Sequence, residues 1–183
     1  GITVEDDMIG AIRVDFSESP EILSEIGKPM LLEVLRRQGA MIDELNDWIY
    51  TAVNNGVYRC GFARGQSAYE EAFDVLFEAL DRLDARLARQ RYLCGDQITE
   101  ADWRLFSTLV RFDPAYYSQF RCNRNMLKEF DHLWPYTRDL YQQPGVAGTV
   151  DFAAIKGIYY GSRPPGILPK GPDLDFTAAH GRG

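Results

Sequence analysis

Tyr69, Phe73, Leu76, Leu80, Leu83 and Leu87 follow one another at alternating steps of four and three. Side chains spaced in this way fall on one face of an α-helix, because a turn holds about 3.6 residues. Asp and Arg fill the other face, and Gly95 follows the end of the run. A helix with a single apolar stripe is marginal in water and must bury that stripe against other elements. The chain is therefore expected to pack a long helix along most of its length.

The other periodic stretches agree with an all-α domain. Leu31, Leu35, Ile42, Leu45, Ile49 and Ala52 recur at steps of three, four or seven. They predict a helix over 31–53, with Gly39 as a weak interior position and Asn54-Asn55-Gly56 as its stop. Thr99-Glu100-Ala101-Asp102 opens a further helix: Thr99 is the candidate N-cap and Asp102 stands at the third helical position. Its body, Trp103 to Phe112, is apolar on several sides, as in a buried central helix. Leu133 to Gln143 predicts a helix stopped by Pro144-Gly145, and 149–160 a last one.

The ends read differently. Residues 1–20 suggest a strand or hairpin, Ser19-Pro20-Glu21 a brief helix, and Gly27-Lys28-Pro29 a break. Beyond Ser162 the chain turns rich in Pro and Gly, as an extended tail held by docking or else loose. The expected organisation is an N-terminal fragment and linker at 1–29, a helix bundle at 30–162 and a tail at 163–183.

Composition narrows the function classes. A chain of 183 residues suits one ordinary domain, or a domain plus a fragment, and its 45% apolar share can fill a core. The formal net charge of −7 argues against a general nucleic-acid or anionic-membrane surface. No segment approaches the roughly 20 apolar residues of a membrane span, and the first residues do not read as a signal peptide. Cys60, Cys94 and Cys122 are odd in number and widely spaced, so reduced thiols in a cytoplasmic protein are expected. With only His132 and His180 beside them, no metal site is expected.

The order of the motifs is more specific than the periodicity. Tyr92-Leu93-Cys94-Gly95-Asp96-Gln97-Ile98-Thr99-Glu100-Ala101-Asp102 resembles the segment leading into the buried helix of glutathione-transferase C-terminal domains, N-capping box included. His132-Leu133-Trp134-Pro135-Tyr136 and Gln143-Pro144-Gly145-Val146 are similar to the same superfamily. Ile42 to Tyr50, Val53 to Tyr58, Thr108 to Pro114, Tyr116-Tyr117, Phe120 to Asn123, and Ile155 to Tyr160 resemble one branch, the glutathionyl-hydroquinone reductases or Xi-class glutathione transferases. Gly171-Pro172 and His180-Gly181-Arg182 extend the likeness, which runs from about residue 40 to the end.

The resemblance implies a fold and a chemistry. The fold is the all-α glutathione-transferase C-terminal bundle, preceded here by a fragment of a thioredoxin-like domain. In that family a cysteine thiolate in a Cys-Pro-Trp context, on the thioredoxin-like domain, attacks the sulfur of a glutathionyl-hydroquinone. The hydroquinone leaves, and a second glutathione resolves the mixed disulfide. Glutathione is the co-substrate, aromatic hydroquinone conjugates are the substrates, and a homodimer is the expected assembly. Cys60, Cys94 and Cys122 precede Gly, Gly and Asn, so the family nucleophile has no counterpart in this chain. Either its domain lies outside the sequence, or the chain is a catalytically silent relative serving binding or dimerisation.

Tyr58 and Tyr159 match two tyrosines of the family's hydroquinone pocket, where a phenol can donate to a substrate oxygen. The plainer alternative is a tyrosine half buried at a helix end for packing. Ile158 stands where the family usually has His. Glu18-Ser19 resembles the pair that holds the γ-glutamyl end of glutathione at a helix start. The hydroxyls of Tyr58 and Tyr159 are expected to share one concave pocket and to lack internal partners.

Overall fold

The computed structural model describes residues 28–161 and 166–182, so the expectations for the first segment, Glu18 and Ser19 included, lie outside the described residues. Helix α1 spans Lys28–Ile49 and opens into a π-helical turn, Tyr50–Asn54. Helices α2 (Gly56–Phe62), α3 (Gln66–Leu87) and α4 (Glu100–Arg111) follow. A second π turn, Phe112–Tyr116, leads from α4 into the short α5, Tyr117–Gln119. The chain closes with α6 (Leu133–Tyr141), α7 (Phe152–Lys156) and a third π turn, Gly157–Gly161. Among the described residues there is no strand, and no helix is long and apolar enough to cross a membrane.

Helix α3 is buried along the stripe read from sequence: Leu76, Leu80, Leu83 and Leu87 are in the core with Ala72, Phe77 and Ala79. Each such leucine contributes about 1.5–3 kcal/mol of burial. Helix α2 packs on α3, α1 on α4, and both α3 and α4 meet α6. Leu105, Phe106, Leu109 and Val110 make α4 the innermost helix.

Asp102 is fully buried and holds the start of α4. Its Oδ2 accepts from the Thr99 amide (2.7 Å) and hydroxyl (2.8 Å), forming the expected capping box. Its Oδ1 accepts from the Leu93 amide and the Tyr136 hydroxyl, both at 2.9 Å. A buried carboxylate is tolerable because these donors replace water.

The structure revises some details. The first helical run ends at Asn54, as expected, but Asn55 keeps helical angles and α2 begins at once. The Asn54 amide donates to Thr108 Oγ1 (2.6 Å) and the Arg104 carbonyl (3.0 Å), tying the turn to α4. Gly56 sits where a Cβ would be 3.5 Å from Leu76, so the two helices approach closely there. The apolar stripe of α1 is buried only in its second half. Leu45, Ile49 and Ala52 are in the core, whereas Leu35 is 54% exposed.

The tail is docked. Phe176 is buried against Trp134, Tyr141 and Phe152, and the Lys156 ammonium donates to three carbonyls, those of Pro169, Lys170 and Gly171. Arg182 lies with Arg91 around the buried Asp139 carboxylate, at 3.6 and 3.3 Å.

Candidate active site

The three π turns converge on one place. A π turn inserts an extra residue per turn and often marks a functional position. In the second, Pro114 has no N–H to donate and its ring would press on the carbonyl four residues back, which the wider turn relieves. That turn ends at Tyr116, the third carries Tyr159, and the first delivers the chain to Tyr58 on α2.

The Tyr159 hydroxyl is 2.9 Å from that of Tyr58 and 2.9 Å from that of Tyr116, and the Tyr58–Tyr116 separation is 3.3 Å. Phe120 packs beneath all three, with ring centroids 5.2, 5.3 and 5.6 Å from Tyr58, Tyr116 and Tyr159. Gly61 faces Phe120 so closely that a Cβ there would lie 2.5 Å from the ring. Gln119 donates to the Tyr159 carbonyl at 2.8 Å and fixes the last turn.

The hydroxyls open onto a cleft of about 640 Å³ that Asn54, Arg104 and Arg111 also line. Burial raises the pKa of Tyr159, and the Tyr116 hydroxyl and the Arg111 charge pull against it. Burial also pushes Tyr116 far up, reinforced by its two phenolic neighbours. Protonated phenols facing an open, arginine-lined cleft can donate to an oxygen that carries or gains negative charge.

The geometry thus puts Tyr58 and Tyr159 on one concave surface. It corrects the expectation that their hydroxyls lack internal partners, since they bond to each other and to Tyr116. Sequence reasoning did not single out Tyr116. It lay within a matched motif after Pro114, but its spacing does not distinguish it from Tyr117. Ile158 is exposed beside the cluster.

None of the cysteines lines this cleft. Cys60 and Cys122 are buried and their thiols interact: that contact draws Cys60 down and pushes Cys122 up. Burial raises the half-buried Cys94. Among the described residues no group of His, Cys, Asp or Glu is arranged to hold a metal ion.

Residues 66–142 match the family described as glutathione S-transferase, C-terminal domain. The all-helical fold is that of a glutathione S-transferase C-terminal domain. Within the superfamily its relatives are glutathionyl-hydroquinone reductases and Xi-class transferases. It is 50% identical over 145 residues to glutathionyl-hydroquinone reductase YqjG of Escherichia coli (strain K12), covering 77% of this chain and 44% of that protein. Identity to glutathionyl-hydroquinone reductase PcpF of Sphingobium chlorophenolicum is 46% over 135 residues, covering 72% of this chain and 43% of the relative. The Xi-class transferase of Natrialba magadii superposes with a TM-score of 0.77 at 50% identity, over 79% of this chain and 46% of that one. The glutathione-bound structure of YqjG superposes with a TM-score of 0.75 at 50% identity, over 77% of this chain and 47% of that one. The chain spans somewhat under half the length of these relatives.

Proposed function

We propose that this chain is the substrate-pocket half of a glutathione-dependent reductase that removes glutathione from glutathionyl-hydroquinones. The observation that carries the reading is the meeting of the Tyr58 and Tyr159 hydroxyls at the cleft, 2.9 Å apart. A proton first adds to the ring carbon that bears sulfur, giving the keto tautomer; as the thiolate takes the sulfur, the carbon–sulfur pair flows through the ring to the ketone oxygen and charge builds there. Phenolic donors fixed at that point stabilise the charge without reorganising. The relatives' names support the same chemistry.

The nucleophilic thiol comes, on this reading, from a thioredoxin-like domain with a Cys-Pro-Trp motif. Cys60 and Cys122 are buried and Cys94 has its acidity suppressed by burial, so none is suited to the role. The domain division at 1–29, 30–162 and 163–183 belongs to this proposal, as does recognition of glutathione by Glu18 and Ser19. The exposed Leu32 and Leu35 of α1 and the aromatic-rich helical surface support a homodimer formed through this domain. Its three free cysteines fit the reducing cytoplasm.

The test is an assay with glutathionyl-menadiol and glutathione. The chain alone should not turn over, and the chain preceded by a thioredoxin-like domain of this family should. Turnover by the chain alone, abolished on replacing Cys60, Cys94 or Cys122, would place the nucleophile here instead. Inactivity of the joined protein would favour a binding or dimerisation module.

A further inference from the structure

Three phenolic oxygens meet, but they differ in what they can reach. Tyr58 is 37% exposed and Tyr159 half-buried, whereas Tyr116 is 2% exposed. A phenolic hydroxyl gives one proton and accepts through its oxygen. With the cleft empty, three protons can fill the three oxygen–oxygen contacts in a closed ring. When a ligand oxygen enters, Tyr58 and Tyr159 can turn their protons toward it. Tyr116 has no such choice. It is stacked on Phe120 and met edge-on by the Tyr159 ring, and its proton stays inside the cluster.

We propose that Tyr116 is the positioning residue of this site: its buried hydroxyl donates to Tyr159 and so directs the Tyr159 proton outward, onto the oxygen of a phenol or phenolate ligand that Tyr58 also reaches. The inference rests on the reading above, in which that oxygen belongs to a hydroquinone. Two contacts are open to Tyr116, and the one to Tyr159 is shorter, 2.9 against 3.3 Å, so its enclosed proton is assigned to that contact. The acidities agree in direction. Burial holds the Tyr116 proton in place, and the Tyr116 contact makes Tyr159 more acidic against the effect of burial. A hydroxyl that accepts a hydrogen bond donates more strongly, by about 10–30% per bond in condensed-phase estimates. Tyr159 is thereby the stronger of the two outward donors. The Tyr116 carbonyl accepts from the amide of Cys122 at 3.2 Å, which holds the backbone that carries the phenol.

The full chain can be tested with 4-nitrophenol, whose ionisation is visible. Bound to the site, this probe should ionise at lower pH than in water. Replacing a direct donor, Tyr58→Phe or Tyr159→Phe, should reduce the preference for phenolate over phenol roughly ten- to a hundredfold. Tyr116→Phe should reduce it roughly two- to tenfold, because only the polarising bond is lost. A role confined to packing would weaken phenol and phenolate alike and leave the bound probe's pKa unmoved. Introducing 3-fluorotyrosine at position 116, a stronger donor, should lower that pKa further, and this arm decides the matter if Tyr116→Phe does not fold. An unmoved probe pKa in both Tyr116 variants, with Tyr58→Phe and Tyr159→Phe still effective, overturns the role of Tyr116 and leaves the site standing. If none of the variants matters, or the probe does not bind, the site reading falls with it.

Discussion

The hydroxyl oxygens of Tyr58 and Tyr159 stand 2.9 Å apart although 101 positions separate them along the chain. Helix α2 carries one and the closing π turn the other, and Phe120 packs against both rings. In a joined protein with a thioredoxin-like domain, Tyr58→Phe and Tyr159→Phe keep each ring and remove only the donor. Each should lower kcat more than it raises KM, by about tenfold to a thousandfold in kcat. Steady-state kinetics with a glutathionyl-hydroquinone decide this. A rise in KM alone would mean that the hydroxyls bind ground state and transition state equally.

Thr99 and Asp102 share a cap but should differ in cost. Thr99→Ala loses one partner in the box and should cost about 0.5–2 kcal/mol. Asp102→Ala also strands the Leu93 amide and the Tyr136 hydroxyl in a dry core, at about 1–3 kcal/mol for each unsatisfied group. Its total should reach about 2.5–8 kcal/mol. Urea melts of the two variants give the comparison directly, and equal midpoints would contradict it.

Gly61→Ala should damage fold and site together. The added methyl would sit 2.5 Å from Phe120, whose ring is hemmed in by the three tyrosines and cannot retreat. Overpacking of this kind costs about 1–3 kcal/mol. A lowered melting temperature with weakened phenolate binding is the expected pair of results. An unchanged melting temperature would show that the contact relaxes freely.

Asp113 sets a pH dependence opposite in sign to that of an ordinary ion-paired carboxylate. Burial raises its pKa, outweighing the Leu127 and Lys128 amides that bond to it. Its contribution to stability is therefore fully present below the unfolded aspartate value of about 3.9 and is lost as pH rises through the folded value. Compared with Asp113→Asn, the parent should lose relative stability as pH climbs from that value. Denaturant midpoints of the pair, measured from acid to neutral pH, check the sign, and parallel curves would rule the effect out.

Much of the bundle was legible because its signals are local. The steps of four and three from Tyr69 to Leu87 express helical geometry itself, and Thr99-Glu100-Ala101-Asp102 carries its own cap chemistry. Both need only neighbours within one turn. The stripe of α1 shows which face is apolar and not what covers it: Leu35 continues the pattern and remains exposed. The helix end at Asn54-Asn55-Gly56 was legible, but the helix that follows it was not. Asn54 satisfies its side chain on α4, fifty positions away, and the backbone is left to continue into α2.

The site divides in the same way. The sequence by itself determined the long helices and the cap of α4 and, through motif resemblance, pointed to Tyr58 and Tyr159. Only the tertiary structure decided that Tyr116 joins them, that all three hydroxyls bond to one another, and that Phe120 and Gly61 form the floor beneath. Helical periodicity and capping arise from interactions a few residues long and are written in the order of side chains. A contact among residues 58, 116 and 159 depends on where three π turns end in space, which follows from how four helices pack and has no local spacing to announce it.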